Sequence, residues 1–415
     1  IQTGDTDKLN MLIQTGKLPD IITLDANSTQ RKLLEDNGMV QPLGPLMEQY
    51  APDLAVPQSM RDWYTAKDGQ WYSIASYYYG DDNIADNKGF YETHNQNYVR
   101  EDILSEIGMS IDDLQTKEGF LNALRAVKEK NIQYNGQNVV PYMVLFSDIA
   151  DIQIAQQLGA SEEDAQGNFQ SLYTTPEYRE AMLLFNQMYR EGLLTDDSFT
   201  VDKSQLEQEV AAGRVFASTA KTNVSNSKLS LYASDNNAIM RYAGQFTGDN
   251  NDRPIIPAQN NMGWTATLVN KDAKNPDRII RLFAYLNSTE ATLDNEWGVG
   301  GWTLGSDGLV VRDPDIMALR EANPTEFIAK YAGDMGWTSD YTIVQGTYPQ
   351  GDDIWSADTY LMTHDERMTL YDDKCFADVA PEAGSDEAAI QARIKEYRQQ
   401  ALGRIITAPS AEQCE

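Results

Sequence analysis

Segments with helical apolar spacing alternate with short apolar runs along most of this chain, and that alternation confines it to mixed α/β architectures. Leu9, Leu12 and Ile13 recur at helical spacing, and Gly16 stands where a left-handed cap would close the helix. Leu18-Pro19-Asp20-Ile21-Ile22-Thr23-Leu24-Asp25 then reads as a short buried strand with a polar end at Asp25, Asn27 and Ser28. In open α/β sheets ligands gather beyond the carboxyl ends of strands, which makes Asp25 and Asn27 candidate cleft residues. Asp, Asn and Ser also favour turns, so a solvated turn is the competing reading.

The pattern continues. Asp68-Gly69-Gln70-Trp71-Tyr72-Ser73-Ile74 reads as a turn entering a strand, followed by Tyr77-Tyr78-Tyr79-Gly80-Asp81-Asp82-Asn83. Neighbouring strand side chains point to opposite faces, so three adjacent tyrosines cannot all enter one core, and at least one is expected near solvent or a ligand. Tyr98 to Leu104 reads as a strand passing directly into a helix that closes near Gly108, and Thr116 is a plausible cap for the next helix. Val139 to Phe146 is a strand candidate, and Tyr178 to Glu191 carries Met182, Phe185 and Tyr189 on one helical face. Trp264 to Val269 suits a strand, after which Asn275-Pro276 places a cap and a proline at the start of a helix. Trp297-Gly298-Val299-Gly300-Gly301-Trp302 combines glycines with two tryptophans.

At 415 residues the chain exceeds what one core usually supports, which predicts two lobes, and no low-complexity tether separates them. The net charge of −30, from 63 acidic and 33 basic residues, would repel a phosphate backbone, so nucleic acid is excluded as a partner. No apolar run approaches the roughly 20 residues that span a bilayer. The chain opens at Ile1 with neither a charged nor an apolar leader region, so it reads as a processed or trimmed segment.

Chemical motifs are scarce. His94 and His364 are the two histidines, too few for a multi-histidine metal site, and neither sits in a catalytic motif. Walker, dinucleotide and nucleophile-elbow signatures are absent, so no cofactor is expected. Asp249-Asn250-Asn251-Asp252 and Asp81-Asp82-Asn83 gather oxygen ligands without the spacing of a calcium loop, and turns explain them better than calcium does. Cys375 and Cys414 form either a disulfide or two free thiols. There remain 7 tryptophans and 22 tyrosines, several beside glycine or polar residues, a composition suited to stacking on sugar faces while Asp and Asn bind hydroxyls.

Several of these stretches resemble, in order, the family 1 extracellular solute-binding proteins, the sugar-binding lipoproteins of bacterial ABC importers, above all their Gram-positive oligosaccharide branch. The resemblance rests on Asp7 to Ile22, Asp68 to Tyr72, Tyr98 to Gly108, Met188-Tyr189-Arg190-Glu191-Gly192-Leu193-Leu194, Asn275-Pro276-Asp277-Arg278 and Trp297 to Gly301. It departs from the family pattern at Ala75, where a proline is usual. It implies a periplasmic-binding-protein-like α/β fold of two lobes joined by hinge crossings, divided as 1–100 plus 259–312 and 101–258 plus 313–415. It also implies an oligosaccharide held between the lobes by Asp25, Asn27, Tyr78, Asp81, Trp264 and Trp302, and a membrane permease as partner. A monomer is expected, on the outer face of the cell membrane, with an export signal, a lipid-bearing cysteine and a first strand preceding Ile1. Trp302 leads these candidates because its flanking glycines would leave room to present a ring; a core tryptophan is the alternative. Arg100, near an expected crossing, is read equally well as half of a structural ion pair. No catalysis is expected. The rival classes are a glycoside-active enzyme on similar sugars and a peptide or amino-acid receptor.

Overall fold

In a computed structural model, the described residues are 6–80, 95–146, 149–219, 224, 227–250, 253–257, 263–331, 338–347, 368–371, 381 and 385–414. The chain divides into two compact units, Ile1–Phe90 with Asn260–Ser356 and Tyr91–Gln259 with Ala357–Glu415.

The first unit is built on a three-stranded sheet in which Thr265–Val269 lies between Ile21–Asp25 and Ser73–Ala75, antiparallel to both. All five residues of the central strand are buried, whereas Ile21–Asp25 alternates, with Ile22 and Leu24 inward and Asp25 exposed. One face packs on Met47, Met60, Tyr64, Ile280 and Phe283, and the other on Leu9, Leu34 and Val40. Each such buried side chain contributes about 1.5–3 kcal/mol relative to exposure. The helix Thr6–Thr15 closes at Gly16, whose φ is 65°, as the sequence requires. The helix Pro276–Leu286 begins with proline after Asn275, although the Asn275 side chain makes no capping hydrogen bond.

The second unit has a four-stranded sheet in the order Val140–Tyr142, Val215–Thr219, Asn97–Arg100, Met240–Gly244. The expected passage from strand to helix is present: Asn97–Arg100 leads into Glu101–Glu106, and Gly108 takes a φ of 79°. The Thr116 hydroxyl accepts from the Gly119 amide at 3.1 Å and caps Lys117–Glu129. The amphipathic helix Pro176–Arg190 buries Met182 and Phe185.

The observed division differs from the expected one at all three boundaries, at 259 by a single residue. Residues 91–100 belong to the second unit, because Asn97–Arg100 is hydrogen-bonded to strands of that unit on both sides. Residues 313–356 belong to the first, where the helix Tyr341–Thr347 packs against Thr289–Trp297 and the Tyr78 amide donates to the Ser339 carbonyl at 3.2 Å. Among the described residues, no helix is long and apolar enough to cross a membrane.

Candidate functional site

Strand direction in the first unit brings three separated segments to one sheet edge. Ile21–Asp25 and Ser73–Ala75 both end there and Thr265–Val269 begins there, with Asp25 opposite Thr265 and Ala75 opposite Ala266. This is the kind of edge at which open α/β sheets take ligands.

The backbone at the edge is closely tied. The Ala26 amide donates to the Trp264 carbonyl at 3.0 Å, and the Ser76 amide donates to the Thr265 carbonyl at 3.0 Å. Asp25 and Asn27 are both exposed, and the Asn27 amide donates to Asp25 Oδ1 at 2.8 Å, folding the polar end into a turn. The turn and site readings therefore describe the same atoms, since Asp25 Oδ1 sets the turn on the exposed rim. Gly263 must be glycine: its φ is 67°, and a Cβ there would lie 2.8 Å from Ser76 Oγ and 3.0 Å from the Tyr77 carbonyl oxygen. That close approach delivers Trp264 to the edge, where the residue is 59% exposed.

The three tyrosines follow the strand Ser73–Ala75 and separate in two directions. Tyr77 and Tyr79 turn to one side and meet Tyr341, with ring centroids 5.3 Å apart for Tyr77–Tyr341, 6.0 Å for Tyr79–Tyr341 and 6.1 Å for Tyr77–Tyr79. Tyr77 and Tyr341 stay partly accessible while Tyr79 is buried. Aromatic pairs of this geometry add about 0.5–1.5 kcal/mol beyond area burial, enough to fix ring orientation. Tyr78 goes the other way, into the core beside Asp340, and is 1% exposed. Burial holds its phenol far above the ordinary tyrosine range, with Asp340 adding to the effect.

Trp302 occupies a different environment. It is partly buried on the hairpin formed by Trp302–Leu304 and Val310–Arg312, packed on Leu293, Trp297 and Val310, and its indole N–H donates to Asp294 Oδ1 at 2.9 Å. The neighbouring glycines serve the backbone instead of clearing space for the ring. At Gly298, φ is 86° and a Cβ would meet the Phe327 ring at 2.9 Å, while at Gly301 it would collide with the Trp297 carbonyl. Arg100 resolves as structural. It is fully buried, grips Asp102 through two hydrogen bonds of 2.8 and 2.6 Å, donates to the Gly213 carbonyl at 2.7 Å, and lies 4.6 Å from the Tyr134 ring centre.

Asp81, His94, His364 and Cys375 lie outside the described residues. Cys414 is buried, its thiol 3.7 Å from the Met182 carbonyl oxygen. Asp249, from the second oxygen-rich stretch, pairs with Lys117 at 2.5 Å, and among the described residues no group of three potential metal ligands is assembled.

Sequence reasoning missed a buried amide network in the second unit. Asn97 Nδ2 donates to Gln157 Oε1 at 2.8 Å, Gln157 Nε2 donates to Asn95 Oδ1 at 2.8 Å, and Thr219 Oγ1 donates to Asn97 Oδ1 at 2.7 Å. Gln245 Nε2 joins it through the Asn95 carbonyl at 2.6 Å. The local signal was Asn95-Gln96-Asn97 at the mouth of a strand, too polar for a core unless paired.

No family model matches the chain. Its fold is that of the periplasmic-type solute-binding proteins, found over nearly its whole length in solved structures. The S. pneumoniae ABC-transporter substrate binding protein FusA, solved in complex with kestose, is similar over 99% of this chain and 86% of its own, with a TM-score of 0.68 and 16% identity. The alginate-binding protein AlgQ2 is similar over 98% and 82%, with a TM-score of 0.65 and 17% identity. The N-glycan transport solute binding protein NgtS of Streptococcus pneumoniae is similar over 99% and 87%, at 0.61 and 15%. Among curated proteins, the chain is similar to Lipoprotein LipO of Bacillus subtilis (strain 168), 24% identical over 217 residues. That stretch is 49% of this chain and spans 42% of the lipoprotein's length.

Proposed function

We propose that this chain is the substrate-binding component of a carbohydrate ABC importer, an extracellular, lipid-anchored receptor that captures a neutral oligosaccharide and passes it to a membrane permease without altering it. The observation that carries the reading is the edge of the first unit, where an exposed indole, a tyrosine cluster and exposed Asp25 and Asn27 converge on one fold position. Aromatic faces cover the C–H face of a pyranose while carboxylate and amide groups accept and donate to its hydroxyls. The fold supports the same assignment, since solved relatives of this architecture bind kestose or alginate.

The assignment extends to a monomeric receptor that holds sugar by hinged closure of its lobes, without a metal or organic cofactor. A thermal-shift screen of neutral oligosaccharides against peptides, with product analysis of every hit, tests it. A ligand present at about 100 times its dissociation constant adds about 2.7 kcal/mol of stability. A glycan hit recovered intact is the expected outcome. A peptide hit would favour the amino-acid or peptide class, and cleaved glycan would favour an enzyme.

A further inference from the structure

The strand Ser73–Ala75 ends before the tyrosines, and the residues that follow are held by a segment from far along the chain. Tyr78 forms a parallel bridge with Asp340: its amide donates to the Ser339 carbonyl at 3.2 Å, and its carbonyl accepts from the Tyr341 amide at 3.0 Å. A parallel ladder would next offer the Gly80 amide a backbone carbonyl. The helix Tyr341–Thr347 begins at this point and turns the backbone out of the extended path, so a side chain supplies the rung. The Thr342 hydroxyl accepts from the Gly80 amide at 2.6 Å. The Thr342 amide donates to Asp340 Oδ1 at 3.0 Å, which fixes the backbone that carries the hydroxyl. At the other end of the segment Thr338 is fully buried, and its hydroxyl exchanges hydrogen bonds with the Asn287 side chain at 3.2 Å. Asn287 Nδ2 also donates to the Phe283 carbonyl at 2.8 Å. Tyr341 therefore stands between two side-chain pins, both within the first unit.

We propose that Thr342 is a positioning residue for sugar capture, whose hydroxyl latches Gly80 and so holds the Tyr341 ring against Tyr77 and Tyr79 before any ligand arrives. Its consequence for binding rests on the oligosaccharide reading, whereas the latch itself is a property of the ligand-free protein. Tyr77 precedes the Tyr78 bridge and Tyr341 follows Asp340, so their 5.3 Å ring contact depends on the two segments keeping register. A ring already fixed in its binding orientation loses little freedom when a sugar stacks on it, and the sugar binds more tightly than to a ring that must first be ordered. The two backbone bonds of the bridge are indifferent to side-chain identity, but the Gly80 bond needs an oxygen at position 342. Serine can supply that oxygen; valine, of nearly the same shape as threonine, cannot.

The test compares Thr342→Val and Thr342→Ser with the wild-type protein in two measurements. Hydrogen exchange at the Gly80 amide of the ligand-free protein needs no sugar. It should quicken at least about fivefold in Thr342→Val, a loss of ~1 kcal/mol of protection, and return to the wild-type rate in Thr342→Ser. Calorimetric titration with kestose, maltotriose and cellotriose is the second measurement. Whichever of these sugars the wild-type protein binds should bind Thr342→Val at least about fivefold more weakly and Thr342→Ser within about twofold of wild type. Trp302→Phe, which lowers stability elsewhere in the same unit, should leave affinity unchanged, and this separates the latch from a general loss of stability. Unchanged Gly80 exchange in Thr342→Val would overturn the latch whatever the sugars do. Faster exchange with unchanged affinity would overturn its role in capture, as would a Thr342→Ser protein that fails to recover binding. A wild-type protein that binds none of the three sugars would remove the role in capture together with the support for an oligosaccharide ligand, while Gly80 exchange would still decide the latch.

Discussion

The rings of Tyr77 and Tyr341 lie 5.3 Å apart between centroids, tilted by 47°, although one follows a sheet strand and the other begins a helix far along the chain. Both remain partly accessible, so the pair offers a fixed aromatic surface beside the strand ends. Tyr77→Ala should weaken oligosaccharide binding by about 2 kcal/mol, as truncating an aromatic hot spot does. Titration of the variant measures it, and unchanged affinity would remove the tyrosine cluster from the site.

At Trp302 the expected balance is reversed. Its N–H is bound to Asp294, which is itself buried, so Trp302→Phe removes a hydrogen bond to a charged group and should cost about 1.5–3 kcal/mol of stability. Affinity for the sugar should not move. Chemical denaturation and titration on one sample check both, and a stable variant with weakened binding would return Trp302 to the ligand surface.

Gly263→Ala tests the joint that presents Trp264. A left-handed backbone costs a non-glycine residue roughly 1–2 kcal/mol, and the added Cβ would crowd Ser76 and the Tyr77 carbonyl. Lower melting temperature together with weaker ligand binding is expected. If melting falls and affinity stays the same, the edge geometry at Gly263 is irrelevant to capture.

Glu191 carries an acid-sensitive share of the second unit's stability. Two hydrogen bonds from Arg125, of 2.7 and 2.8 Å, hold its carboxyl down at about 2, below an ordinary value of 4.5. Because the folded value is the lower one, the unfolded chain binds more protons between these two values. The contribution is present above pH 4.5 and is lost as pH falls toward 2. Glu191→Gln should flatten this part of the acid limb in pH-dependent unfolding, and an unchanged slope would show that the pair is fully screened.

Much of the edge was legible because its signals are local. Apolar runs ending in Asp25 and beginning after Trp264 mark strand ends, and the expectation that three adjacent tyrosines would not share one core holds although they lie just past the strand Ser73–Ala75. Which tyrosine went outward was not local. It depends on Ser339 and Tyr341 docking beside Tyr78, contacts set by tertiary folding. The same docking places 313–356 in the first unit, where sequence reasoning had put it in the second. Trp302 was chosen for its glycines, yet those glycines answer backbone crowding at Trp297 and Phe327 that only the folded chain creates. The amide network around Gln157 was invisible for a related reason, since its members come from four separate segments.

Trp264 bears most directly on the proposed capture of oligosaccharide, because its indole is exposed while its backbone is part of the sheet edge. The decisive measurement is calorimetric titration of wild-type protein and Trp264→Ala with the oligosaccharide found by screening. Weakening by more than about tenfold, over ~1.4 kcal/mol, with apo melting unchanged, is the result the account predicts. Equal affinity in the two proteins would contradict it.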